Sequence, residues 1–319
     1  MFLTIILLLA GLALGVFGAD WLVDGASSVA RRAGLSEFVI GLTIVGMGTS
    51  APEMVVSLLG ALEGNGDITV GNVVGSNVFN TLLILGLTAL ILPIGITRSN
   101  RKRDIPVNLV VTALLMLLGM EYTILGIGTD GLSRFDGAVL LALFAVYMWI
   151  SFRSGKTGDQ AGEEGQKQQK LWLSILMILG GLAALVVGGN LFVNNATALA
   201  SALGVSDKFI AVTILAGGTS LPELATCIAA AVKKKGQLAL GNIIGSNIFN
   251  ILLILGTSAV IAPVSFQSIN MVDMAVLMVS AIALGTSIFI GRRNQLDRVD
   301  GALFLIIWAA YMAYLIVNL

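Results

Sequence analysis

Long apolar runs, separated by short charged or turn-rich stretches, set the pattern of this chain from end to end. A helix that crosses a membrane needs about 20 apolar residues. Ten runs meet that need, at 2–30, 37–62, 67–92, 105–125, 135–152, 171–201, 208–232, 237–262, 269–290 and 299–318. They predict an all-α membrane protein of ten transmembrane helices. The first run has no basic segment before it and no small-residue cleavage site before Asp20, so it is expected to stay as a mature helix rather than a signal peptide. The stretch 153–170 is rich in Gly, Gln and Lys and reads as a flexible hydrophilic linker.

Charge orients these spans. Sixteen of the eighteen Lys and Arg fall in the loops after spans 1, 3, 5, 7 and 9, leaving Arg134 and Lys208 on the other side. By the positive-inside rule the sixteen are cytoplasmic, the linker 153–170 is cytoplasmic, and both termini are expected outside. The compact loops suggest a plasma (inner) membrane, multi-pass protein working as a monomer in the lipid bilayer.

Composition narrows the chemistry. Of 319 residues, 57% are hydrophobic and 11% charged, where a soluble domain carries about 25% charged residues. The net charge is zero, so no overall basic field exists to hold nucleic acid. There is no His and one Cys, Cys227. That excludes His-ligated zinc, Ser-His-Asp triads and disulfide frameworks. No enzymatic activity and no cofactor are expected.

Residues 37–86 align with 207–256 at a constant offset of 170, with 22 identities in 50 positions. The identities cluster on polar, Gly and Pro residues. Gly48-Thr49-Ser50-Ala51-Pro52-Glu53 matches Gly218-Thr219-Ser220-Leu221-Pro222-Glu223, and Gly75-Ser76-Asn77-Val78-Phe79-Asn80 matches Gly245-Ser246-Asn247-Ile248-Phe249-Asn250. The repeats divide the chain into an N-terminal five-helix half, 1–152, and a C-terminal five-helix half, 171–319. Because each half holds an odd number of spans, the two must insert upside down relative to each other. Inverted repeats with interrupted helices mark secondary transporters, with the binding site near the midplane.

Pro52 and the neighbouring glycines are expected to open the second span near Gly46–Ser50, and Pro222 the seventh in the same way. Broken backbone within a membrane occurs only where protein, water or an ion satisfies it. Carbonyls of Gly46 and Thr49, with the hydroxyls of Thr49 and Ser50, can then turn to one spot; Ala216, Thr219 and Ser220 do the same in the second half. Glu53 and Glu223 lie deep within apolar spans, where a charge costs at least about 2.5–3.5 kcal/mol. Two adjacent carboxylates want a cation or a shared proton. A different reading of the same spacing is a capping box, with Ser50 or Ser220 as N-cap and the Glu three residues on. Ser76 and Asn80, four apart, share a helix face, as do Ser246 and Asn250. Asn72, Asn77, Asn242 and Asn247 read better as interhelical hydrogen-bond glue. The resulting set is all oxygen, which suits hard cations: one Ca²⁺, or several Na⁺. Asp20 and Asp24, whose counterparts are Asn190 and Asn194, are expected at the cytoplasmic mouth or paired with Arg31 or Arg32.

The duplicated GTSxPE and GSNxFN segments resemble the cation/Ca²⁺ exchanger superfamily, most closely its Na⁺/Ca²⁺ exchanger family in prokaryotic form. The resemblance implies antiport of Na⁺ for Ca²⁺ by alternating access, with spans 1 and 6 sliding across the rest. It makes Glu53 and Glu223 the central ion ligands. Thr49, Ser50, Thr219 and Ser220 would supply hydroxyl and carbonyl oxygens, and Gly46 and Ala216 backbone carbonyls. Ser76 and Ser246 would complete the Na⁺ sites, with Asn80 and Asn250 lining the middle. Asn250, where K⁺-dependent relatives carry Asp, resembles the K⁺-independent type. H⁺/Ca²⁺ antiport, with H⁺ as counter-ion or competitor, is the alternative within the superfamily, and a cation channel the alternative outside it.

Overall fold

A computed structural model describes residues 2–154, 170–203, 217–266, 269–287, 289 and 294–318. The linker residues 155–169 and the start of the seventh run, including Ala216 and Lys208, lie outside the described residues.

Helices follow the apolar runs closely. They are α1 Phe2–Ala33, α2 Glu37–Thr49, α3 Ala51–Leu62, α4 Gly66–Ile91, α5 Ile105–Gly119, α6 Glu121–Leu125, α7 Arg134–Ser154, α8 Leu171–Ala202, α9 Leu221–Val232, α10 Gly236–Ile261, α11 Met271–Ser287 and α12 Arg298–Asn318. Among the described residues, six (α1, α4, α7, α8, α10 and α12) are long and apolar enough to cross a membrane, and the bent pair α2–α3 makes a seventh span. The run 105–125 is not one continuous helix. It breaks at Met120, next to Gly119, whose open face is filled by the Phe266 ring.

The helices that carry the repeated motifs are the innermost. Some 94% of the apolar window of α10 and 67% of that of α4 are buried, against 17% for α1 and α12. Large apolar side chains on α1, such as Leu9, Leu12, Val16 and Phe17, face outward, as lipid contact requires.

Close backbone approach holds this centre together. An added Cβ on Gly41 would stand 2.3 Å from the Leu238 carbonyl oxygen, and one on Gly241 2.2 Å from that of Phe38. The first half of the broken helix therefore lies directly on α10, backbone to backbone, as small residues allow in membranes. The outer pair, α1 and α8, uses the same device. Gly11 meets Gly188, Gly18 meets Gly181, and Gly25 meets Ser174, so the two long helices run antiparallel along a stripe of small residues seven apart. Under the 170-residue offset Gly11 corresponds to Gly181 and Gly18 to Gly188, so the contact is two-fold symmetric.

Two short ribbons tie one half to the other. β1 (Ile94–Gly95) pairs antiparallel with β4 (Gln295–Leu296), and β2 (Gly131–Leu132) with β3 (Val264–Ser265). Asp20 and Asp24 on α1 reach the turn between α9 and α10: Lys233 Nζ lies 2.6 Å from Asp20 and 2.9 Å from Asp24, and Lys235 Nζ 3.5 Å from Asp24. Burial pushes the Lys235 ammonium below the usual lysine range, with Asp24 pulling the other way.

Candidate functional site

The two repeats build matching local structure. At Ser50 the backbone leaves the helical path (φ −81°, ψ 9°), Pro52 opens α3 where no N–H is needed, and α2 and α3 meet at 50°. Ser220 has nearly the same conformation (φ −89°, ψ 8°) ahead of Pro222 and α9. The opening is narrower than expected. The Gly46 carbonyl still accepts the Ser50 N–H at 3.1 Å, as in an unbroken helix, so the irregular backbone here is a π-helical stretch at Gly41–Val45 and the turn at Ser50. The partner helices carry wide π-helical turns at Phe79–Ile84 in α4 and Asn250–Leu255 in α10. Such turns recur at functional sites, because the extra residue re-aims the side chains beside it.

Glu53 and Glu223 are both 0% exposed. Each is held by the other half. Ser50 Oγ donates to Glu223 Oε1 at 2.9 Å, and Ser220 Oγ donates to Glu53 Oε1 at 3.0 Å. Ser76 donates to Glu53 at 3.4 Å and Ser246 to Glu223 at 3.5 Å, each within its own half. Neither Ser50 nor Ser220 caps its own helix with its side chain, so the capping-box alternative does not hold. The physical reason is strength. A hydrogen bond to a buried carboxylate is worth about 1.5–3 kcal/mol, more than one to a backbone amide.

The other predicted residues fall into the same region. Thr49 Oγ1 donates to Asn242 Oδ1 at 3.2 Å, and Thr219 Oγ1 to Asn72 Oδ1 at 3.4 Å, again across the halves. Gly46 offers its carbonyl to Ser246 Oγ at 3.4 Å. Asn80 Nδ2 donates to Asn247 Oδ1 at 3.2 Å and Asn250 Nδ2 to Asn77 Oδ1 at 2.9 Å. The described residues expected at the site thus fall into three buried hydrogen-bond networks, one around each glutamate and one of Asn77, Asn80, Asn247 and Asn250; Ala216 lies outside the described residues.

Four oxygens in these networks have no hydrogen-bond partner: Glu53 Oε2, Glu223 Oε2, Asn80 Oδ1 and Asn250 Oδ1. All four are buried acceptors, paired by the repeat. An unsatisfied buried acceptor costs about 1–3 kcal/mol, more if charged, so four together call for an electron-poor guest. Among the described residues no group of three or more His, Cys, Asp or Glu converges, so the site offers two carboxylates and otherwise neutral oxygens. That donor set fits hard cations and not zinc, copper or iron.

The four asparagines read as interhelical glue do join helices: the Asn72 amide donates to the Glu53 carbonyl at 3.0 Å and to Ser57 Oγ at 2.9 Å, both on α3. Asn242 donates to Cys227 Sγ at 3.4 Å in the corresponding place. Asn77 and Asn247 accept from the amides of Asn250 and Asn80. The signal was present, since all four lie in the best-matched stretch of the repeat.

Comparison with known proteins shows the family and the fold. The family model described as sodium/calcium exchanger protein matches residues 3–153 and 173–317. The chain is 40% identical over 320 residues to the putative antiporter CaxA of Alkalimonas amylolytica, covering 98% of each. It is 32% identical over 346 residues to the sodium/calcium exchanger MaX1 of Methanosarcina acetivorans, covering 97% of each. Among solved structures it superposes on the sodium-calcium exchanger NCX_Mj, in a form soaked with Na⁺ and Sr²⁺, with a TM-score of 0.84, 34% identity and 98% coverage of both chains.

Proposed function

Because the chain belongs to the sodium/calcium exchanger protein family, we propose that it is a secondary antiporter exchanging Na⁺ for Ca²⁺ by alternating access. In this reading the ions are substrates, and they bind Glu53 and Glu223 with oxygens from Thr49, Ser50, Thr219, Ser220, Ser76, Ser246, Asn80 and Asn250 and the carbonyls of Gly46 and Ala216. The observation that carries it is the set of four buried oxygens without donors, two from each repeat.

The charge balance supplies the coupling. Two buried carboxylates with no cation are too costly to carry across a low-dielectric centre. One Ca²⁺ neutralises them, and so do Na⁺ ions in overlapping positions. The carrier therefore crosses loaded, and loading from opposite sides with different ions is exchange. If more than two Na⁺ move per Ca²⁺, membrane voltage adds to the driving force.

The architecture that goes with this reading is ten spans in two inverted halves, 1–152 and 171–319, joined by the cytoplasmic linker 153–170. Both termini face out of the plasma membrane. Support comes from the antiparallel, symmetric contact of α1 with α8 and from the serine-to-glutamate exchange between halves.

Proteoliposomes loaded with Na⁺ and diluted into Na⁺-free buffer test it. They are expected to take up ⁴⁵Ca²⁺. Uptake driven by a proton gradient but not by Na⁺ would replace the reading with H⁺/Ca²⁺ antiport, and flux that needs no ion on the opposite side would replace it with a channel.

A further inference from the structure

Asn77 and Asn247 touch neither glutamate, yet both are buried and both end on an asparagine of the opposite half. An asparagine amide has one oxygen face and one N–H₂ face, and only the network around it decides which way it points. For Asn250 the decision can be followed atom by atom. The backbone carbonyl of Asn247 can only accept, so the Asn77 atom facing it at 3.2 Å is Nδ2. The other end of that amide, Asn77 Oδ1, therefore faces Asn250, and Asn250 must meet it with Nδ2, at 2.9 Å. Asn250 Oδ1 is what remains, and it is one of the four unpartnered oxygens.

The mirror relay runs from Asn80 Nδ2 to Asn247 Oδ1 at 3.2 Å, then from Asn247 Nδ2 to Thr81 Oγ1 at 2.8 Å. It too leaves the amide oxygen, Asn80 Oδ1, unpartnered. Thr81 corresponds to Ile251, which has no hydroxyl, and this is why the first relay ends on a backbone carbonyl instead.

We infer that Asn77 and Asn247 are positioning residues that turn the amide oxygens of Asn250 and Asn80 toward the cation and hold their N–H groups away from it. Without them each amide is free to flip, and a flipped amide sets a partly positive N–H₂ against the ion. The inference rests on reading the pocket as a cation site.

A carboxylate shows an oxygen whichever way it turns, so it needs no orienting, and that gives the test. ⁴⁵Ca²⁺ binding to the purified protein by equilibrium dialysis is compared for wild type, Asn77→Leu, Asn250→Asp and the double variant, and likewise for Asn247→Leu with Asn80→Asp. Asn77→Leu is expected to weaken Ca²⁺ binding tenfold or more beside Asn250, but to leave it unchanged within twofold, or tighter, in the Asn250→Asp background. Equal loss in both backgrounds would mean that Asn77 merely supports the fold, and would overturn the proposal. If Asn77→Leu does not purify as a folded protein, the Asn247 and Asn80 set gives the same comparison. Because binding is read without transport, wild-type protein that binds Ca²⁺ but fails to exchange it would refute the antiport reading while the variants still decide this one.

Discussion

The crossed serine-to-glutamate bonds make a quantitative prediction that separates this site from two independently capped helices. Ser50→Ala removes the hydroxyl 2.9 Å from Glu223, with both residues fully buried. A charge-assisted bond of this kind is worth about 1.5–3 kcal/mol. For a chain of this size roughly 2 °C of melting temperature answers to each kcal/mol, so protein held in Na⁺ to keep the carboxylates ionised is expected to melt about 3–6 °C lower. Tryptophan fluorescence of the purified protein follows the transition. The decisive measurement is the double-mutant cycle. Against Glu223→Gln the loss from Ser50→Ala shrinks to that of a neutral bond, about 0.5–1.5 kcal/mol, giving a coupling on the order of 1 kcal/mol. Against Glu53→Gln, three residues away on the same helix, the coupling is expected to be smaller. A cycle in which Ser50 couples to Glu53 as strongly as to Glu223 would refute the cross-brace and restore the local cap.

Other outcomes follow from the same geometry. Glu53→Gln and Glu223→Gln should each abolish Na⁺-driven ⁴⁵Ca²⁺ uptake while the protein still elutes as a single species, and wild-type uptake in either would remove that residue from the mechanism. Lowering the pH from mildly alkaline to mildly acidic should inhibit uptake reversibly, since a proton on either carboxylate removes half of the pocket's negative charge; a flat profile would count against a two-carboxylate site. Gly41→Ala and Gly241→Ala should each destabilise by at least about 1–3 kcal/mol, because the new Cβ meets a backbone carbonyl oxygen that cannot move aside. Gly285→Ala, whose Cβ would meet nothing within 4 Å, should be neutral or stabilise by up to about 1 kcal/mol, and thermal melts in detergent distinguish the two classes.

Much of this site is legible in the residues, for a physical reason. A carboxylate deep in an apolar span has few ways to exist, so Glu53 and Glu223 announce a polar interior wherever their helices lie. The 170-residue repeat then names their neighbours. What is not legible is which helix stands opposite. Ser50-x-x-Glu53 satisfies the spacing of a local cap and of a cross-brace equally, and only packing decides between them. The π-helical turns at Phe79–Ile84 and Asn250–Leu255 leave no Pro signature, so counting faces at four-residue spacing could not show how Asn77 and Asn247 come to face the opposite asparagines. Asp20 and Asp24 meet Lys233 and Lys235, some 210 positions along the chain, a contact that local sequence cannot suggest. The packing of Phe266 against Gly119, beside the break at Met120, is again a long-range contact.

The distribution of rigid and yielding contacts constrains how such a pocket could open by turns to either side. Around the glutamates, the two repeats are joined by buried hydrogen bonds in both directions and by glycine-to-carbonyl contacts of α2 on α10, neither of which stretches without losing its partner. The α1–α8 pair is welded in the same way, backbone against backbone at Gly18 and Gly181. Between these two bodies α1 also packs along α9 and α2, and some of the contacts are of another kind. Leu182 of α8 sits with its side chain against Gly48, beside the helix break, and α1 meets the α9–α10 turn through the flexible side chains of Lys233 and Lys235. Side-chain contacts of this sort exchange one partner for the next at small cost, whereas the close-packed backbones do not.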